Sequence, residues 1–158
     1  MPRVIVMIAS ALLVSCASVP KADPPDRIRV AIADIESKES LGGPALAESV
    51  REHLQGQLFA VRRFEVLERR HLDRAMDELN STSRAKAGAL VGADWVVYGV
   101  ITQESGGAHI HLRVIRVETG VISYSGSRLV AGAGESDLRR GAGAAVGQLV
   151  NEISVLPR

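Results

Sequence analysis

Apolar positions along this chain follow two rhythms, one of period two and one near 3.6. Together they lay out a single domain over residues 27–158. In Arg27–Ile35, Ile28, Val30 and Ile32 alternate with polar or small residues, as in a half-buried strand. Lys38–Pro44 (KESLGGP) predicts a loop. From Ala45 to Val61, Leu46, Val50, Leu54, Leu58 and Val61 recur every four or three residues and form one face of a helix. Phe64–Leu67 predicts a short second strand. In Arg70–Leu79, Leu72, Ala75, Met76 and Leu79 stand at i, i+3, i+4 and i+7, a second helical face. Asn80-Ser81-Thr82-Ser83 stops that helix, and Ser83 is placed to cap a short one running to Gly92.

Trp95–Ile101 (WVVYGVI) is almost unbroken apolar and β-favouring, the pattern of a central strand buried on both faces. His109–Glu118 alternates until Val114-Ile115, where the phase slips as it does at a bulge. Thr119-Gly120 then turns the chain into Val121–Val130, which predicts an antiparallel hairpin. In Glu135–Ser154, Leu138, Ala142, Ala145, Val146, Leu149 and Ile153 share one helical face. Gly141, Gly143 and Gly147 lower helix propensity there, which is tolerable where the backbone packs closely on the sheet. The order β-α-β-α-α-β-β-β-α predicts an α/β fold, a mixed β-sheet covered by helices on at least one face.

The first 26 residues have a different character. Arg3 precedes an apolar run, Val4–Val14, of 11 residues. A membrane-spanning helix needs about 20, so the run fits the h-region of a secretory signal. Leu13-Val14-Ser15-Cys16 resembles a bacterial lipobox, which implies cleavage between Ser15 and Cys16 and acylation of the Cys16 thiol, palmitate being one such chain. Residues 1–15 are then a signal peptide. Several acyl chains, at about 0.8 kcal/mol per buried CH₂, hold a protein durably on a bilayer. Ala17 rather than Asp follows the cysteine, which points to the outer membrane. Residues 16–26 read as a lipidated tether: Pro20, Pro24 and Pro25 favour polyproline II, so ten residues reach roughly 30 Å.

Charge and composition narrow the function. Lys and Arg total 19 against 18 Asp and Glu, and aromatic residues make up only 3%. Neither a counterion-displacing basic surface nor a set of stacking platforms is on offer, so no nucleic-acid partner is expected.

Candidate chemistry is sparse. His109 and His111 lie two apart on a strand, hence on one face, a geometry that metal sites use. Within the hairpin no Cys, Asp or Glu evidently completes a ligand set and Arg113 continues the face, so a solvated polar face is the preferred reading. Gly132-Ala133-Gly134-Glu135-Ser136-Asp137 sits between strand and helix like a dinucleotide loop, but Asp137 stands where the third glycine belongs. Ser49 near His53 and His71 near Asp73 are conceivable nucleophile or base pairs without a strand-to-helix elbow. Asn80-Ser81-Thr82 is a glycosylation sequon in form only. No catalytic residue, metal or cofactor is expected, and the chain is expected not to be an enzyme.

Phe64–Leu79 (FEVLERRHLDRAMDEL) resembles the signature of the curli-secretion (CsgG-like) family, in which a strand ends in a Val-x-Glu-Arg-type turn before a helix with Leu at its start. Those positions are Val66, Glu68, Arg69 and Leu72. Gly92-Ala93-Asp94, ahead of a strand carrying Gly99, is similar to the family's "GAD…G" segment, and Val117-Glu118-Thr119-Gly120 resembles its hairpin turn. The likeness covers about residues 27–153 and takes in the lipobox. Related domains occur in LpoB-type activators of a penicillin-binding peptidoglycan synthase and at the N-terminus of TolB. The resemblance implies a non-catalytic envelope lipoprotein that contacts periplasmic or outer-membrane proteins, with self-association possible. Helix faces around Arg62-Arg63 and Arg69-Arg70 are the expected contact surfaces.

Two departures qualify it. The family's secretion channel adds two long membrane hairpins per subunit, and a crossing strand needs about 9–11 residues. Only seven residues separate Ile101 from His109, so the pore-forming parts are expected to be missing. The LpoB-type tether is long, and this one is short. The expected role is envelope assembly or secretion, with LpoB-like activation of a synthase as the alternative.

Overall fold

A first strand that reads as half-buried is covered on both faces. In the computed structural model, which describes residues 27–68, 70–74, 84–105, 107–130 and 135–157, β1 (Ile28–Ser37) places Ile28, Val30 and Ile32 in the main core. Its small residues Ala31 and Ala33 are equally buried on the opposite side. Small side chains let a helix approach, so the second face of β1 is hidden although it lacks a large apolar residue.

β2 (Phe64–Val66) and β3 (Trp95–Glu104) both pair with β1 in parallel. β4 (Gly107–Arg116) and β5 (Ile122–Val130) continue the sheet antiparallel, in the order β2-β1-β3-β4-β5. The register of β1 on β3 shifts between Ile32 and Ile35, which is why Ile35 returns to the core after an odd interval. The predicted slip near Val114-Ile115 is real: Val114 pairs with Tyr124 and Ile115 with Ile122. The supernumerary residue is therefore Ser123, on β5 rather than on β4.

Helix α1 (Gly43–Ala60) starts two residues before the expected Ala45, after a 3₁₀ turn at Glu39–Leu41. Leu46, Val50, Leu54 and Leu58 are all buried, as their spacing requires. Backbone at 70–74 is helical, with Leu72 buried; Ala75, Met76, Leu79 and the Asn80–Ser83 stop lie outside the described residues. A shorter helix than expected, α2 (Arg84–Leu90), follows. α3 (Glu135–Ser154) has the predicted bounds.

α1 and α3 lie side by side on one sheet face. A Cβ at Gly143 would fall 2.8 Å from the His53 ring, and one at Gly147 would fall 4.0 Å from the Gln57 amide. Both positions advance by four on each helix, so the helices run parallel. Gly143 thus permits close approach to α1, not to the sheet as expected, whereas Gly147 faces α1 with room for a Cβ. Arg63 fastens the same end: its guanidinium donates to the carbonyl oxygens of Ser154 at 2.7 Å and Leu156 at 2.6 Å and lies over the Trp95 ring at 5.9 Å. These carbonyls lie at the end of α3 and just past it, where orphan acceptors favour a cation. Arg63 is consequently a structural clamp rather than the contact residue expected from sequence.

Candidate functional site

Most family-motif residues gather where β1 and β3 begin and β2 ends, with Gly99 farther along β3, and their work is structural. The amide of Leu67, next to Val66, donates to the Val30 carbonyl at 2.8 Å and closes the β2 edge. The Glu68 carbonyl accepts from the His71 amide at 3.2 Å, starting the helical turn that buries Leu72. Arg69 lies outside the described residues. Gly92 has φ +68, and any Cβ there would sit 2.7 Å from the Arg29 guanidinium. Ala93 is buried in the second cluster.

Asp94 is the lock. Its Oδ2 accepts from the Arg29 amide at 2.7 Å, its own amide donates to the Arg29 carbonyl at 2.8 Å, and its carbonyl accepts from Val117 at 2.9 Å. Gly99 faces the β4 backbone so closely that an added Cβ would overlap the His111 carbonyl oxygen. Thr119 and Gly120 form the β4–β5 turn, with Gly120 at φ +67 and its amide donating to Arg116 at 2.8 Å.

The Ser49 hydroxyl and the His53 ring are not brought together as a nucleophile and base. His53 Nδ1 lies 2.7 Å from the backbone carbonyl of Ser49, not from its hydroxyl. Asp137 pairs with Arg140 in the first turn of α3; Gly132, Ala133 and Gly134 lie outside the described residues, as do Ser15, Cys16 and the sequon.

Among the described residues, a part that is both polar and open is the second face of the sheet beyond β1. α2 and the 70–74 turn cover its β1 side through Ala31, Ala33, Val96, Leu72 and Ala87. Past Tyr98, whose ring lies 4.6 Å below the Arg84 guanidinium, the face is uncovered among the described residues. Val100 and Leu129 are 37% and 51% exposed there, beside exposed Arg113 and Ser125. β3 is thus buried on both faces only in its first half, a correction to the expectation from WVVYGVI.

His109 and His111 do share this face, and a partner missed in sequence joins them. Glu104, at the end of β3, holds His111 Nε2 at 2.8 Å through Oε1 and places Oε2 3.7 Å from His109 Nδ1. The Thr102 hydroxyl donates to Glu104 Oε1 at 3.0 Å and stands 2.8 Å from His111 Nε2. With that hydroxyl hydrogen committed to the carboxylate, His111 Nε2 carries a hydrogen of its own. The Thr102 hydrogen bond is the largest cause holding the Glu104 carboxyl below its ordinary value, opposed by desolvation and assisted by His109 and His111. Glu104 reaches them because β3 and β4 turn tightly, with Glu104 opposite Gly107, which has no side chain to intervene. The signal in the sequence was Ser105-Gly106, a two-residue hairpin connection. Among the described residues no group of three or more His, Cys, Asp or Glu stands at metal-holding spacing.

With the fold and its motif residues placed, the comparisons with known proteins can be weighed. The family described as "Curli production assembly/transport component CsgG" matches residues 11–108, more than half of the chain. The chain belongs to this family, which sets it among envelope-associated proteins. The matched span includes Cys16 and stops before Thr119-Gly120. No curated protein matches in sequence.

Among solved structures, the LpoB C-terminal domain from Escherichia coli is similar at TM-score 0.56 and 19% identity, over 66% of this chain and 83% of that one. A PelC dodecamer from Paraburkholderia phytofirmans gives TM-score 0.51 and 15% identity, over 83% of this chain and 90% of that one. TolB from Acinetobacter baumannii gives 0.50 and 15%, over 85% of this chain and 30% of TolB. At these identities the likeness is one of fold. The α/β mixed sheet and the CsgG/LpoB/TolB resemblance expected from sequence both hold.

Proposed function

We propose that this chain is a non-catalytic, lipid-anchored periplasmic protein acting in cell-envelope assembly or secretion through contacts with other proteins. The observation that carries this reading is the family match at residues 11–108, which runs from the apolar leader through Cys16 into the folded domain. Acylated Cys16 fastens it to the outer membrane, the destination that Ala17 favours. Among the described residues no helix is long and apolar enough to cross a membrane. β3 and β4 join at Glu104 opposite Gly107, a connection too short for the membrane hairpin of a channel subunit, so the role is that of an accessory rather than a pore. The uncovered part of the second face supplies a contact surface, with exposed apolar Val100 and Leu129 beside Arg113. PelC, solved as a dodecamer, makes a second copy of this chain one reasonable occupant.

Crosslinking in living cells followed by mass spectrometry tests the partner class. Secretion or outer-membrane components are the expected captures. Capture of a peptidoglycan synthase instead would make the chain an LpoB-like activator. The anchor is tested separately: Cys16→Ser is expected to move the protein from the membrane to the soluble fraction, and retention in the membrane would overturn the lipid assignment.

A further inference from the structure

We propose that the end of the domain at which the chain enters the fold seats on a lipid bilayer, its exposed apolar side chains entering the headgroup layer. This seat rests on the lipid-anchored reading, which brings a bilayer within reach, and it gives the domain an orientation. Seven large apolar side chains are exposed among the described residues. Five of them, Phe59, Leu90, Val121, Ile122 and Val155, belong to this one end, which leaves Val100 and Leu129 for the open sheet face. Phe59 and Val155 are the most open, at 79% and 77%.

The fold collects them because each element that carries them starts or stops at that end. Phe59 lies in the last turn of α1, and Val155 directly follows α3, which runs parallel to α1. Arg63 ties both to the first strand: its carbonyl accepts from the Ile28 amide at 3.0 Å, and its guanidinium donates to the Ser154 carbonyl at 2.7 Å. Leu90 closes α2 just before Asp94, whose amide donates to the Arg29 carbonyl at 2.8 Å. The Val121 carbonyl, next to Ile122 at the start of β5, accepts from the Arg116 amide at 2.9 Å. Arg116 in turn stands opposite Trp95, the first residue of β3.

Charge and chain entry suit the same occupant. Arg27, Arg29 and Arg62 are exposed at this end against Glu65 and Glu118, a small positive excess toward lipid phosphate. Their stems can lie along apolar neighbours while the guanidinium groups reach the headgroups. Apolar side chains at the headgroup boundary, with basic ones around them, are how interfacial elements hold a membrane. The tether enters at Arg27 and reaches roughly 30 Å, so this end meets the bilayer without the tether passing around the domain. The open sheet face is then left free for protein contacts.

Depth-dependent quenching tests the seat, with the acylated full-length protein added to vesicles of phosphatidylethanolamine and phosphatidylglycerol. Phe59→Cys, Val121→Cys and Val155→Cys, one at a time, take a nitrobenzoxadiazole label, since Cys16 is the chain's only other cysteine and its acylated sulfur does not react. Each label is expected to lose fluorescence to nitroxide-bearing phospholipids in the vesicles, whereas a label at Leu129→Cys keeps its own. Arg27→Gln together with Arg62→Gln should reduce the loss at Val121. Circular dichroism verifies folding, and Ile122→Cys replaces any variant that misfolds. Unquenched labels on protein that sediments with the vesicles would overturn the seat and leave the lipid anchor standing. Equal quenching at Leu129 would overturn it too. Protein that stays in the supernatant would overturn anchor and seat together.

Discussion

The two faces of the sheet share the same five strands and are finished in opposite ways. On one, α1 and α3 lie parallel across the strands, and the facing residues from Ile28 to Ile153 are buried without a charged group among them. On the other, helical cover among the described residues stops at β1 and the first half of β3. Beyond that the strands present Val100, Glu104, His109, His111, Arg113 and Leu129 to solvent. The first face holds the fold together by apolar burial, which has no directional requirement. The second is free to vary in residue type, and that freedom is where contacts and chemistry can be placed at little cost to stability.

Substitutions on the two faces should separate by their effects. Leu54→Ala, at a fully buried position of α1, is expected to lower unfolding free energy by about 2–5 kcal/mol. Val100→Thr, on the open face, should stay within about 0.5 kcal/mol. Urea unfolding followed by circular dichroism measures both, and equal losses would erase the distinction between the faces.

Gly99→Ala should fall between them. The added methyl overlaps the His111 carbonyl oxygen, which is backbone and cannot swing aside, so about 1–3 kcal/mol is expected. A neutral result would mean that β3 and β4 are more loosely paired than their register implies.

The smallest effect is the pH dependence of the open face. The Glu104 carboxyl is held below its ordinary value of 4.5, first by the Thr102 hydroxyl. A depressed folded-state value adds stability above the unfolded value and loses it as pH falls through the folded one. Glu104→Gln should therefore flatten the acid limb of stability below about pH 4.5 and leave neutral pH almost untouched. An unchanged acid limb would show that the Glu104 network does not persist in solution.

Helices and strands were legible from periodicity because their stripes answer to burial: Leu46, Val50, Leu54 and Leu58 in α1, and Ala142 to Ile153 in α3, landed where spacing put them. The second face of β1 was hidden because alanines signal a helix's approach only once that helix is placed. The bulge at Ser123 was visible as a lost phase but assigned to the wrong strand, since a slip in pairing belongs to two strands and a sequence shows one at a time. The site suffered in the same way. The histidine pair is read from one strand, whereas Glu104 joins it only through the register of Glu104 on Gly107. Arg63 was misread as a surface charge because its acceptors lie 91 and 93 residues along the chain.

The Arg63 clamp also fixes where the two ends of the folded chain emerge. Its carbonyl takes the Ile28 amide at 3.0 Å, while its guanidinium grips Ser154 and Leu156. Both exits therefore share one pole, and the Glu104–Gly107 hairpin stands at the other, about 30 Å away along ten residues of β3. A fluorophore or affinity handle appended beyond Pro157 would sit beside the place where the chain enters the fold and leave the far tip unobstructed.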